Sequence, residues 1–205
     1  AFPRGGSVWS VVTAFHSVYK LDPATREVKK FPMREGAHPF GMTIGGDGNI
    51  WYAGDNDSLL IQIDPETDEM TPVDLKPGTG PRRLATDADG NVWAASIDRG
   101  ALVKLDIRTR ELTEFYPPSA GTIQGIPVEK YLQGVDVDTG RDLVWFSEYE
   151  AIKLGRLDPR TGDFLEFPLI TAESQPWIVK VDPTNPDRVW WNSRNGRIGY
   201  LELTD

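Results

Sequence analysis

The 205-residue chain contains no cysteine. A thiol nucleophile, a thiolate metal centre and an internal disulfide are therefore excluded, while the redox compartment stays open. Histidine is almost as scarce, with only His16 and His38. No apolar run approaches the roughly 18 residues of a membrane span, so helical membrane insertion is not expected. Basic residues are in deficit: 22 Lys and Arg against 31 Asp and Glu give a formal charge of −9. That balance disfavours a general binder of nucleic acid or of anionic membranes. Helical periodicity is missing throughout. In its place stand 20 Gly and 16 Pro, a turn-rich composition that argues against helix bundles. With 39% apolar and 26% charged residues the chain has ordinary globular content, and it is long enough to bury a core. It opens on Ala1 without a signal-peptide apolar region, which reads as a processed, trimmed or fragmentary sequence.

What is present is a repeat. Trp9, Trp51, Trp93, Trp145 and Trp190 follow GGSV, GDGNI, ADGNV, GRDLV and NPDRV, at intervals of 42, 42, 52 and 45. A second landmark keeps step: LDPATRE, IDPETDE, LDIRTRE and LDPRTGD begin their turns at Asp22, Asp64, Asp106 and Asp158. A third, an aromatic followed by proline, recurs at Phe31-Pro32, Tyr116-Pro117 and Phe167-Pro168. The DGN tracts read as hairpin turns in which Gly and Asn supply positive φ. The Trp reads as an anchor between neighbouring sheets. In DPxT the Asp oxygen accepts backbone N–H groups and Pro presets the turn. Between landmarks lie short strands, for instance Met42-Thr43-Ile44 and Leu59-Leu60-Ile61-Gln62-Ile63, four to a repeat. Four-stranded units every 40–45 residues predict an all-β fold, a β-propeller.

One family's blade pattern is then recognisable. Pro39-Phe40-Gly41-Met42, Asp47-Gly48-Asn49-Ile50-Trp51-Tyr52, Leu143-Val144-Trp145-Phe146-Ser147-Glu148, Leu154-Gly155-Arg156-Leu157 and Thr161-Gly162-Asp163-Phe164-Leu165-Glu166-Phe167-Pro168 resemble the repeat of the streptogramin B lyase (virginiamycin B lyase) propellers. The motifs are shared with NHL-like and gluconolactonase-like propellers, so they speak for architecture more than for chemistry. Aligned on Trp, blades fall at 1–33, 39–75, 81–118, 132–169 and 176–205, with an insertion at 119–131. Three blades are complete and the outer two partial. The register predicts a piece of a six- or seven-bladed ring, completed by further blades of the same protein or by a partner chain. A degenerate five-bladed ring is the lesser reading.

Propellers bind at loops that lead into the innermost strand and at loops joining the second and third strands. Here those loops nominate a ligand-binding rim of Arg34, His38, Arg82, Arg83, Tyr131, Gln133, Glu148, Tyr149, Gln175, Trp177, Asn192 and Arg194. Such a rim suits a polar small molecule or a peptide. The family resemblance implies a catalytic His close to a Glu on a late blade, with a divalent metal (Mg or Ca). His16, His38 and Glu148 are the candidates for catalysis, and Glu148 and Glu150 for the metal. Glu148-Tyr149-Glu150 sits at the best-matching position, with no His in that repeat or the next. Asp87-Ala88-Asp89-Gly90-Asn91 echoes the start of a calcium loop, whose twelfth position is Asp98. The leading expectation is a binding or assembly module with a ligand or protein partner. The alternatives are a metal-assisted lyase that linearises a cyclic depsipeptide by ester elimination, and a lactonase-like hydrolase. Composition and family habit suggest an extracytoplasmic setting.

Overall fold

A computed structural model describes residues 6–33, 36–118, 122–123, 126–127, 132–170 and 174–204. Arg34, Tyr131 and most of the 119–131 insertion lie outside the described residues. The first sheet contains β1 (Val8–Val12), β2 (Ser17–Leu21) and β3 (Val28–Pro32). The second contains β4 (Pro39–Ile44), β5 (Ile50–Gly54), β6 (Leu59–Ile63) and β7 (Met70–Asp74). β8 (Pro81–Thr86), β9 (Val92–Ser96), β10 (Ala101–Leu105) and β11 (Leu112–Phe115) form the third. A small hairpin, β12 (Thr122–Ile123) and β13 (Ile126–Pro127), stands within the insertion. The fourth sheet holds β14 (Leu132–Asp138), β15 (Leu143–Glu148), β16 (Lys153–Asp158) and β17 (Asp163–Pro168). The fifth holds β18 (Pro176–Val181), β19 (Arg188–Ser193) and β20 (Ile198–Glu202). Each sheet is an antiparallel meander, and successive sheets pack inner strand to inner strand, β1 on β4, β4 on β8, β8 on β14 and β14 on β18. The chain is a β-propeller.

The tryptophans explain the packing. Trp9, Trp51, Trp93 and Trp145 are at most 2% exposed. Each joins a core cluster built largely from the following sheet: Trp51 meets Leu84, Val92, Ala94 and Leu105, and Trp145 meets Val179 and Val189. A fourth-strand phenylalanine closes over the ring, the landmark aromatic for Trp9–Phe31 and Trp145–Phe167 at 5.4 Å each, but Phe115, the residue before the landmark Tyr116, for Trp93 at 5.5 Å. A cation covers each of the four indoles, Lys20 on Trp9, Arg110 on Trp51, Lys104 on Trp93 and Arg156 on Trp145. Truncating such a side chain costs about 3–5 kcal/mol.

The turns behave as their residue types require, with one correction. Asp22, Asp64, Asp106 and Asp158 each accept the backbone N–H two residues on, as in Asp22 Oδ1 from Ala24 at 2.8 Å. In the DGN turns only the glycines, Gly48 and Gly90, take positive φ, at 81° and 88°. Asn49 and Asn91 instead donate their N–H groups to the preceding carboxylates, Asp47 at 3.0 Å and Asp87 at 2.8 Å.

The calcium echo is also overturned. Asp87 is 5% exposed, and its Oδ2 accepts the Trp93 indole N–H at 2.9 Å and pairs with Lys104 at 3.3 Å. Strand β9 separates it from Asp98, so the two carboxylates stand at opposite ends of one strand. Asp87 is an anchor for the tryptophan. Asp47 makes the weaker version, 3.5 Å from Trp51 Nε1 and itself exposed. Asp87→Ala is therefore expected to cost about 1–3 kcal/mol and Asp47→Ala less than about 1 kcal/mol. Urea unfolding midpoints check the order, and equal losses would refute the anchoring role.

Candidate functional site

Inner strands begin, and second strands end, at the same edge of the propeller. Pro39 pairs with Gly54, Pro81 with Ser96, Leu132 with Glu148 and Pro176 with Ser193. Directly after each pair the register shifts: between Pro39 and Met42, Pro81 and Leu84, Leu132 and Val135, and Pro176 and Ile178. A bulge re-aims the side chains it contains. Phe40, Arg82, Gln133 and Trp177 thus follow the edge pair at matching places in four blades. The glycine after the first two-residue bulge is required by space. A Cβ on Gly41 would fall 2.7 Å from the Arg83 Cα, against the next inner strand. Gly134 stands likewise against β18, where a Cβ would fall 2.9 Å from the Val179 nitrogen.

Two groups of functional side chains gather on this edge. In the first, His16 occupies a left-handed turn position with φ 45°, shared in register by Ser58 (51°), Gly100 (58°) and Ile152 (55°). Its Nδ1 donates to the Ala37 carbonyl at 2.6 Å, which fixes the proton on that nitrogen. His38 stacks on it with centroids 5.9 Å apart and planes 16° from parallel. The His38 carbonyl accepts the Asp55 N–H at 3.0 Å. Asp55 is buried and pairs with Arg82 Nε at 3.2 Å. Arg82 and Arg83 both lie over the Phe40 ring, with guanidinium carbons 4.8 and 5.2 Å from its centroid.

The second group joins the fourth and fifth blades. Tyr149 meets Trp177 edge-on at 5.5 Å and donates its hydroxyl to Gln175 Oε1 at 3.2 Å. Arg194 covers Trp177 at 5.7 Å. Gln133 and Glu148 are buried beside this group's strands, 3% and 4% exposed. Asn192 supports the backbone, because its Oδ1 accepts the Ile178 N–H at 3.0 Å and secures the bulge. Ser147 does the same for Gly134 at 2.8 Å. Phe40 and Asp55 complete the first group; the period of the repeat revealed the blade positions, while the bulge that exposes Phe40 leaves no mark beyond the proline ahead of it.

His16 and His38 serve the junction of the first two blades, and Glu148 ends β15 in the fourth. Among the described residues neither imidazole has a hydrogen bond to a carboxylate, and no group of three His, Asp or Glu side chains is placed to hold a metal ion. Glu148 and Glu150 therefore do not fit the divalent metal that the resemblance implies.

Burial holds the Asp55 carboxyl above its ordinary value of 3.8, with Arg82 opposing, Asp98 reinforcing and His38 opposing the shift. An acid raised by folding favours the native state while protonated and loses that advantage as pH climbs through its native pKa. Wild type is expected to lose stability relative to Asp55→Asn as pH rises from below 3.8 towards neutrality. Chemical unfolding of both proteins across that range tests this, and a pH-independent difference would refute it.

No curated protein matches the chain. Among solved structures, virginiamycin B lyase from Staphylococcus aureus superposes with a TM-score of 0.80 at 18% identity, covering 100% of this chain and 69% of that one. A catalytically inactive variant of that enzyme with quinupristin gives a TM-score of 0.79 at 18% identity, covering 100% and 69%. The dihydro-heme d1 dehydrogenase NirN is more distant, with a TM-score of 0.68 at 22% identity, covering 99% of this chain and 44% of that one. At these identities the likeness establishes the propeller fold. The sequence profile of the virginiamycin B lyase family matches residues 3–205, and the chain belongs to that family.

Proposed function

We propose that the protein is a ligand-binding propeller whose working surface is the edge where the bulged inner strands begin. The observation that carries this reading is the recurrence of the bulge. Four blades deliver Phe40, Arg82, Gln133 and Trp177 to one edge, and loop residues of the same edge meet two of them, Asp55 at Arg82 and Tyr149 and Arg194 at Trp177. Trp177, framed by Tyr149, Gln175 and Arg194, offers an aromatic anchor with hydrogen-bonding neighbours. A polar small molecule or a peptide suits that mixture, and a protein partner would meet the same edge. Nucleic acid does not suit an acidic chain of charge −9.

A second reading, elimination of a depsipeptide ester, is favoured by family membership and by the quinupristin held by a structural neighbour. It lacks a base in the right place. No His stands in the repeat of Glu148 or the next, and the described carboxylates do not gather around a metal position. Binding without turnover is the better account.

Quinupristin is a suitable probe for both readings. Calorimetric titration is expected to show saturable binding that Trp177→Ala weakens about tenfold, equivalent to about 1.4 kcal/mol. Trp190→Ala, in the middle of β19, is expected to leave it unchanged. Equal losses in the two variants, or no binding, would refute the proposed surface. Incubation with Mg²⁺ followed by mass spectrometry is expected to return intact quinupristin. A linearised product would instead establish the lyase.

A further inference from the structure

Arg83 breaks the repeat. In register it takes the place of Gly41 in the second blade and Gly134 in the fourth, positions where a side chain collides with the adjoining inner strand. The third blade carries a long, charged side chain there, so packing does not explain the choice. Among the described residues its charge also has no carboxylate partner. Lys20, Arg99, Lys104, Arg141, Lys153 and Arg188, all partly buried, each reach a carboxylate within 3.3 Å, and Arg156 instead lies over the Trp145 ring. Arg82, the adjacent residue, is matched by Asp55. Arg83 reaches no carboxylate among the described residues, and its buried Nε has no hydrogen-bond partner among them. Burial, and beside it the like charge of Arg82, push the Arg83 pKa down.

Keeping a second guanidinium partly out of water, beside a first and with one carboxylate between them, is unfavourable unless something else supplies negative charge. Phe40 holds both guanidiniums over its ring, which restricts the freedom of each fork before any ligand arrives. The remaining face of the fork is matched in shape to two oxygens of a carboxylate or a phosphate.

We propose that Arg83, with Arg82 and Phe40, forms a binding site for an oxyanion group, carboxylate or phosphate, carried by the ligand of this propeller. The site deepens the reading of the bulged edge as a binding face and rests on it. It adds to the aromatic anchor at Trp177, which quinupristin probes, a separate position for an acidic group, and gives an acidic protein a local reason to attract one.

The test uses the full chain and two free anions. Thermal unfolding is followed while sodium phosphate or disodium succinate is titrated against sodium chloride of equal ionic strength. Wild type is expected to gain a saturable rise in Tm from at least one of them. Phosphate alone would mark a phosphate ligand; succinate alone or both would mark a carboxylate. Arg83→Met is expected to weaken the effect at least tenfold, while its Tm in chloride equals or exceeds that of wild type because an unmatched charge is removed. Arg83→Gly, which restores the residue of the second and fourth blades, provides the same comparison should the methionine pack badly. Arg108→Met, in the exposed turn between β10 and β11 away from that edge, is expected to keep the anion effect. An effect of equal size in the Arg83 variants, or none in wild type, would overturn the site. Quinupristin titration of Arg83→Gly separates the two readings: retained binding with no anion effect in wild type leaves the edge intact as a binding face and removes only the oxyanion site.

Discussion

The indole of one blade lodged against the next is the contact on which this protein depends. Trp9, Trp51, Trp93 and Trp145 are buried at sheet-to-sheet junctions, and every other recurring feature serves to place them. The turn ahead of each tryptophan sets where its strand starts. Asp87 reaches from that turn to the Trp93 indole nitrogen and so uses a buried acceptor to orient a large apolar group. In the first and fourth blades a stacked phenylalanine and an overlying Lys or Arg seal the outer side. A four-stranded sheet too small to form a core alone thereby gains one from its neighbour.

This dependence also explains the bulges. Inner strands approach one another closely, and Gly41 and Gly134 mark where backbone meets backbone. A regular strand passing through such a point would direct its next side chain into the neighbouring sheet. Inserting an extra residue breaks the pleat and lets Phe40, Arg82, Gln133 and Trp177 meet the loops at the edge instead. Scaffold and site are thus produced by one distortion.

The fold was legible because its cause is periodic. Tryptophan, the Asp turn and the aromatic–proline step recur in phase, and each has a single mechanical reading. The site was legible only in part. Loop membership nominated Tyr149, Gln175, Trp177 and Arg194, which are neighbours in the structure, and His38 and Arg82, which both stand beside Asp55. It missed Phe40, whose role arises from a register shift that neighbouring residue types do not announce. It also assigned Asn192 to the rim, although its side chain supports the backbone of Ile178. Asp87 misled for a related reason: one acidic turn can serve a cation or an indole, and the partner six residues on, Trp93, decides between them.

The extensive contacts between sheets run from each blade to the next in order, β1 to β4, β4 to β8, β8 to β14 and β14 to β18. Free energy in such an array is close to a sum of local terms and nearest-neighbour junctions. The histidine–arginine group spans the first three blades, and the tyrosine–tryptophan group spans the last two. Substitutions that reshape one group therefore leave the junctions beneath the other nearly untouched. Each blade can drift in sequence on its own account, with the edge acquiring new chemistry one blade at a time.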